Sequence, residues 1–338
     1  MKNYFVIIIF LLIFISKAIS QDVGFSQFFS NKLYLNPGFA GTDIDVRYVM
    51  NYRNQWPELK NAYISYSFSF DKYIKKINGG VGINIIQDRQ GKGTFNTTFV
   101  DLVYAYQFRL SQDLYLSAGL QFSFIDKTID TSGKIFPSML DDFHQSGTVN
   151  YAAGGGVATK ISRNYFDFSS GVVAAFRNYY FGLSVHHILN HSDVQTISLA
   201  ENIDLPRKYT LYSGVNLQIY RSGLVKEDFS ISPNILMQYQ HGFTNMNYGL
   251  YVNYNNALLG LWARNNVYGR YDSAILSLGY RNNIWQISYS YDKSISGLFS
   301  ASAAAHEVSL VVRLRYKPKC SVDFGKKIRL QAMKCPDL

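Results

Sequence analysis

Charge is the first thing this 338-residue sequence lacks: 17% of its residues are Asp, Glu, Lys or Arg, against about a quarter in an average soluble domain. A disordered chain is excluded just as firmly, because 27 Tyr, 24 Phe and 3 Trp are far too many aromatics for one. Long apolar runs are missing too. Only residues 6–15 form one, and ten residues cannot cross a hydrocarbon core of about 30 Å as a helix. With a mean hydropathy of -0.07, a bundle of membrane helices is excluded.

That single run follows Lys2 and precedes Ala18-Ile19-Ser20, the three parts of a secretory signal peptide. The expected signal is 1–20, with cleavage after Ser20 and a mature chain from Gln21; the plainer alternative is a buried core strand. No Cys follows the cut, so a lipoprotein is not expected. Cysteine is otherwise confined to Cys320 and Cys335. In an oxidising compartment these two are expected to close a disulfide, worth about 3 kcal/mol by loop-closure entropy. Without a nearby His they make a poor zinc site. The net charge of +10 invites a nucleic-acid reading, but export denies access to nucleic acid.

What the sequence has in abundance is alternation. Ala62, Ile64, Tyr66, Phe68 and Phe70 alternate with Tyr63, Ser65, Ser67 and Ser69. Leu114, Leu116, Ala118, Leu120, Phe122 and Phe124 alternate with Tyr115, Ser117, Gly119, Gln121 and Ser123. Near the end, His306, Val308, Leu310, Val312, Leu314 and Tyr316 alternate with Glu307, Ser309, Val311, Arg313 and Arg315. Side chains of a strand point to opposite faces in turn, so each segment has one apolar and one polar face.

Fourteen such segments are read, at 43–55, 60–72, 78–88, 94–108, 112–125, 165–176, 178–190, 206–220, 228–240, 244–254, 256–265, 270–281, 283–292 and 305–316. Strands of soluble domains average about five or six residues, whereas a tilted membrane strand needs about nine to eleven. A large soluble β-sandwich would alternate in the same way, but the lengths favour the membrane. Connectors agree. The tight links at 177–178, 255–256 and 281–282, and the one around Ser111, fall in the class expected at the periplasm, counting from a periplasmic N-terminus. The long ones, 126–164 and 191–205, fall in the extracellular class; only the short 241–244 breaks the trend.

Lipid offers the backbone no hydrogen bonds, so a sheet in it must close on itself. The expected fold is all-β: a closed antiparallel transmembrane β-barrel over 43–316, apolar outside, with a lumen of Ser, Asn, Gln, Gly and a few charges. A further hairpin strand at 149–160 would raise the count to sixteen. Tyr52, Tyr104, Tyr106, Phe108, Tyr280, Tyr289, Tyr291 and Tyr316 are candidates for an interfacial girdle. Arg47, Asp101, Arg109, Glu307, Arg313 and Arg315 fall on the lumenal side, where charges more often pair with one another than select a substrate.

The ends of the mature chain do not alternate. Residues 21–42 carry Phe25, Phe28, Phe29, Tyr34 and Leu35 among amides, with a turn signal at Asn36-Pro37-Gly38. This segment is a disordered leader or a plug in the barrel mouth, and its large apolar side chains favour the plug. The tail 317–338 sets Lys317, Lys319, Lys326, Lys327, Arg329 and Lys334 against Asp323 and Asp337. It is expected in the periplasm, as solvated charge or as a dock for an acidic partner.

Phe25-Ser26-Gln27-Phe28-Phe29, with Leu33-Tyr34-Leu35-Asn36-Pro37-Gly38-Phe39-Ala40-Gly41, resembles the opening motif of the PorP/SprF family. So do Tyr52-Arg53-Asn54-Gln55-Trp56-Pro57, Gly182-Leu183-Ser184-Val185-His186-His187, His306-Glu307-Val308-Ser309-Leu310 and the terminal Cys335-Pro336. The long stretch 130–164 departs from the family, so loop functions do not carry over. The resemblance implies an outer-membrane barrel associated with the type IX secretion system, with one of two roles. One accompanies the core machinery and anchors to a periplasmic peptidoglycan-binding protein. The other supports secretion or surface attachment of a large adhesin with a type IX C-terminal signal, often used in gliding. The second is favoured by the long surface connector. The partner or plug motif is then Gln27, Asn36, Pro37, Gly41, Arg53, Gln55, Trp56, His306 and Glu307.

Chemistry has little support. No G-x-S-x-G, H-E-x-x-H or paired-Cys metal spacing is present, so no catalytic residue, metal or cofactor is expected. His186 and His187 are adjacent, which on a strand sends them to opposite faces. Asp141-Asp142 lacks the spaced carboxylates of a calcium site. Arg53 and Trp56 close the first strand, with Arg53 either solvated or holding a lumenal network. The competing non-enzymatic reading is a passive pore or small-molecule transporter, for which 21–41 should be disordered and conductance steady.

Overall fold

The computed structural model describes residues 22–43, 46–59, 63–132, 160–189, 205–220, 228–266, 271–295 and 304–314. The expected signal peptide, both cysteines with the tail, Asp141-Asp142 and the extra strand at 149–159 lie outside the described residues. Fifteen strands are present: β1 (Val46–Gln55), β2 (Tyr63–Ile74), β3 (Gly79–Gln90), β4 (Phe95–Arg109), β5 (Leu114–Asp130), β6 (Lys160–Phe176), β7 (Tyr179–His186), β8 (Lys208–Val215), β9 (Leu217–Tyr220), β10 (Asp228–Gln240), β11 (Phe243–Tyr254), β12 (Ala257–Asn266), β13 (Tyr271–Arg281), β14 (Trp285–Ser294) and β15 (Ala304–Leu314).

Fourteen of them close a ring. Each is antiparallel to its neighbours, and β15 returns to β1 from Val46↔Leu314 to Gln55↔Ala305. β9 lies outside the ring and pairs with β10 alone. It prolongs β8 in one register, Gly214↔Asn234 followed by Leu217↔Ile231. The segment expected at 206–220 is therefore real but interrupted at Asn216, whose N–H donates to the Asn178 carbonyl at 2.9 Å.

The alternation sorts as membrane burial demands. Leu102, Leu120, Phe166, Leu278 and Ile287 are exposed on the outer wall, while Ser67, Ser117, Ser169, Ser277, Ser290 and Ser309 are buried inside. Of the girdle candidates, Tyr52, Tyr104, Tyr106, Phe108, Tyr280 and Tyr289 are exposed. Short turns at 177–178 and 255–256 mark one end of the barrel, and the connectors after β5 and β7 mark the other. In outer-membrane barrels the short turns face the periplasm.

Three strand-level expectations need correction. Arg109 is not lumenal: it sits exposed at the end of β4, where its guanidinium donates to the Ser111 and Gln112 carbonyls, both at 3.1 Å. β7 stops at His186 rather than 190, because His187 takes a left-handed conformation (φ 59°). That turn swings His187 back inside, so His186 and His187 are both buried in the lumen instead of facing apart. Nor is the lumen uniformly polar. Tyr180, Tyr212, Leu236, Tyr251, Trp262 and Ile275 form an apolar wall on its inner face.

Candidate functional site

The apolar wall has a partner, the segment 22–43 running through the lumen. Its local shape follows from its residues: a one-turn helix α1 (Lys32–Leu35) stops at Asn36, and Pro37–Phe39 makes a 3-10 turn. Asn36 governs this corner. Its Oδ1 accepts from Gly38 N at 2.7 Å, while its Nδ2 donates to the Leu183 and Val172 carbonyls of the barrel wall at 3.0 and 3.2 Å. One amide thus caps the turn and pins it to β6 and β7.

In the middle of the lumen, aromatic rings fill the space. Phe29 sits edge-on to Tyr180, Tyr212 and Tyr251 at 6.1, 6.3 and 6.4 Å. Phe28 meets Trp262 edge-on at 5.4 Å, and Phe39 stacks on Tyr212 at 5.3 Å. Edge-to-face pairs add about 0.5–1.5 kcal/mol each beyond area burial. A gap left beside the segment at Val23, Asn84, Asp101 and Gln121 is about 30 Å³, room for a few waters and no solute.

Two ionic clamps hold the ends of the segment. At the outer one, the Glu307 carboxylate accepts the backbone N–H of Ser26 at 2.6 Å and of Gln27 at 3.2 Å. Arg53 bridges Glu307 and Asp292, at 3.3 and 3.4 Å, and also donates to Ser26 Oγ and to Gln55 Oε1. Arg264 completes the cluster on Asp292 at 3.1 Å. Gln27 donates through Nε2 to the Glu307 carbonyl at 3.1 Å and accepts from Ser309 Oγ. At the inner clamp, Asp71 accepts from Gly41 N at 2.9 Å and pairs with Arg47 at 2.8 Å. Asp43 pairs with Arg47 and Arg313; burial pushes its carboxyl up, but Arg47, Lys32 and Arg313 together hold it below the usual range.

Ahead of the outer clamp, Asp22 bonds His187 Nε2 at 2.9 Å and lies 3.6 Å from Lys208. Burial raises its carboxyl, but these two cations more than reverse that and leave it well below the usual range. Asp167 takes the other ring nitrogen of His187 at 2.7 Å. Burial alone would lower the His187 imidazole; the carboxylates of Asp22 and Asp167 lift it to about 9. Both of its nitrogens are engaged, so it is a structural cation and not a base. Because its value is raised from about 6.5 in an unfolded chain, its stabilising effect is complete below that pH and is lost as pH rises through about 9. The unfolding midpoint in detergent should fall over that window, and His187→Gln should flatten the dependence; an unchanged slope in the variant would contradict this.

The inner half of the segment needs glycine on both sides of a contact. A Cβ on Gly80 would stand 2.0 Å from the Ala40 carbonyl oxygen, and Gly41 itself has φ +65°. At Gly119 a Cβ would meet the Pro37 carbonyl carbon at 2.3 Å. Gly80→Ala is therefore expected to lift the segment off β3 at a cost of about 1–3 kcal/mol. Gly24→Ala, with nothing within 4 Å, should stay within about 0.5 kcal/mol. Urea titration followed by heat-modifiable gel migration checks both.

The structure thus brings Gln27, Asn36, Pro37, Gly41, Arg53 and Glu307 into contact between segment and wall, while Gln55 meets the wall's own Arg53, whose guanidinium donates to it. His306 is not among them. It faces outward beside Tyr289, whose hydroxyl is 2.7 Å from His306 Nδ1. Trp56 instead turns the chain out of β1 at φ 58°, with its ring 5.0 Å from Tyr63. Sequence reasoning missed Asp22, Asp71, Asp167, Lys208, Arg264 and Asp292. Most of them had one available signal, a lone charge at a polar position of an alternating strand.

Fold and lumen together define a closed, internally plugged β-barrel of the outer-membrane type. A family profile described as "Type IX secretion system membrane protein PorP/SprF" matches residues 18–312. The chain belongs to the PorP/SprF family. Solved barrels resemble it only broadly. The Pseudomonas putida toluene transporter TodX has 10% identity and a TM-score of 0.45, covering 87% of this chain and 94% of that one. The CymD monoaromatic hydrocarbon channel has 9% identity and a TM-score of 0.44, covering 85% and 93%. A search of curated proteins finds no match.

Proposed function

We propose that this barrel is a non-enzymatic scaffold of type IX secretion that supports export or surface anchoring of a large adhesin by binding it. The observation that carries the reading is the filled lumen: two ionic clamps and an aromatic core hold 22–43 in the space a solute would use. A protein closed in this way acts through its rims and connectors. The connectors after β5 and β7 offer the adhesin a surface outside. The periplasmic turns and the tail 317–338 offer one to a peptidoglycan-binding or core secretion protein inside, and the outer wall meets lipid.

Support for the adhesin role comes from the family and from connector length, and the filled lumen favours a scaffold over a passive pore. Deleting the gene should abolish surface display of one large type IX client while general outer-membrane permeability stays unchanged. Affinity purification from mild-detergent membranes should recover that client. Normal display of every client in the deletion strain would refute the proposal. Recovery of a peptidoglycan-binding protein with the core components, and no adhesin, would move the role to the machinery.

A further inference from the structure

The plug segment enters the lumen from the outer mouth. Asp22 N donates to the side chain of Gln240, the last residue of β10, at 3.2 Å. Its carboxylate meets His187, one residue past β7, and Lys208, the first residue of β8. His187 and Lys208 are at the strand ends joined by the long connector after β7, and Gln240 is at the short turn after β10 on the same rim. From there the contacts descend in order. Ser26 and Gln27 sit on Glu307, Asp292 and Arg53, two or three residues below that rim. Asn31 bonds Ser67 at 2.8 Å, and Asn36 reaches mid-wall carbonyls. Ala40 and Gly41 meet Gln107 through their carbonyls, and Asp43 pairs with Arg47 at the inner start of β1. At about 3.3 Å per strand residue, the segment spans the wall once, from outside in.

An even-stranded barrel ordinarily leaves both ends of its chain in the periplasm, since its first and last strands meet at the inner rim. Here β1 begins and β15 ends at that rim, yet the chain ahead of β1 has already crossed back through the lumen. We infer that the N-terminal end of the plug, at Asp22, opens to the cell-surface side of the barrel. The N-terminal end of the plug is then part of the outer mouth. It cannot serve as a periplasmic tether. This rests on the orientation of the barrel and not on the identity of the client.

The test places a short epitope between Gln21 and Asp22 of the full chain, signal included, and the same epitope in the 255–256 turn as a periplasmic control. Antibody binding to the N-terminal epitope should be equal on intact and permeabilised cells, while the turn epitope is reached only after permeabilisation. An N-terminal epitope that requires permeabilisation, in a barrel that still shows heat-modifiable migration, overturns the inference. Should the epitope block folding, Gly24→Cys in a Cys320→Ser, Cys335→Ser background decides, because Gly24 is exposed with nothing within 4 Å of an added Cβ. A membrane-impermeant maleimide should label it on intact cells, and a folded barrel labelled only after permeabilisation overturns the inference.

Discussion

A barrel lacking residues 22–42 is expected to conduct ions steadily in a planar bilayer where the intact chain is silent. The segment is what fills the ring. Phe28, Phe29, Leu35 and Phe39 supply its share of the apolar core, and Tyr180, Tyr212, Tyr251 and Trp262 supply the wall's share. Without the segment, those wall residues meet water, and the carboxylates of Glu307 and Asp71 lose the backbone N–H groups they accept. Stability should fall together with closure, since truncating a single buried Phe costs about 3–5 kcal/mol. Phe29→Ala with Phe39→Ala is the milder companion, removing rings while keeping both clamps. It should lower the thermal transition without full conductance. A deletion variant that inserts, migrates as a folded barrel and remains silent would show that something other than this segment closes the lumen.

Glu307→Ala is expected to be the most damaging single substitution in the barrel, at about 3–5 kcal/mol, the usual cost of breaking a buried ion pair by removing one partner. Glu307 is 0% exposed and answers three donors: two backbone N–H groups of the plug and the Arg53 guanidinium. Its loss leaves Arg53 with Asp292 alone among the buried carboxylates of the outer clamp. Glu307→Gln should be milder, because the amide oxygen still accepts. Arg53→Ala combined with Glu307→Ala should cost less than the sum of the two singles, with a coupling of about 0.5–3 kcal/mol for residues in one network. His306→Ala, one residue away on the outer face, should change stability far less. Urea midpoints of these variants, with the Arg53→Ala single included, measure this, and strict additivity of the Arg53 and Glu307 effects would refute a shared clamp.

Much of the wall was legible from periodicity. Alternation such as Leu120-Gln121-Phe122-Ser123 is local, and lipid on one side with a lumen on the other enforces it residue by residue. It fails where a single backbone angle intervenes. His187 reads as the lipid-facing neighbour of His186, until its left-handed turn folds it back inside. It fails also where both faces of a strand are apolar. In Tyr179-Tyr180-Phe181 nothing in composition says which ring goes to lipid and which meets Phe29. Of the candidate site, the motif residues within the plug were readable as an ordered segment rich in Phe and amides. Arg53 and Glu307 were named with them, but which plug residue each wall residue meets was not readable, because Ser26 and Glu307 are 281 positions apart and meet only once the ring has closed.

By itself the sequence determined an all-β chain with long amphipathic strands, tight turns at one end and long connectors at the other. These depend on neighbours within a few residues, and there the physical chemistry of a strand in lipid leaves little choice. Only the tertiary structure decided that one strand is interrupted at Asn216, that one side of the lumen is an apolar wall with Tyr180, Tyr212, Tyr251 and Trp262 in it, and that the plug runs from the outer mouth inward. Those outcomes depend on which side chains the closed ring sets opposite one another. A segment of 22 residues can thread a barrel in either direction until Glu307 and Asp71, on strands far apart in sequence, claim its two ends.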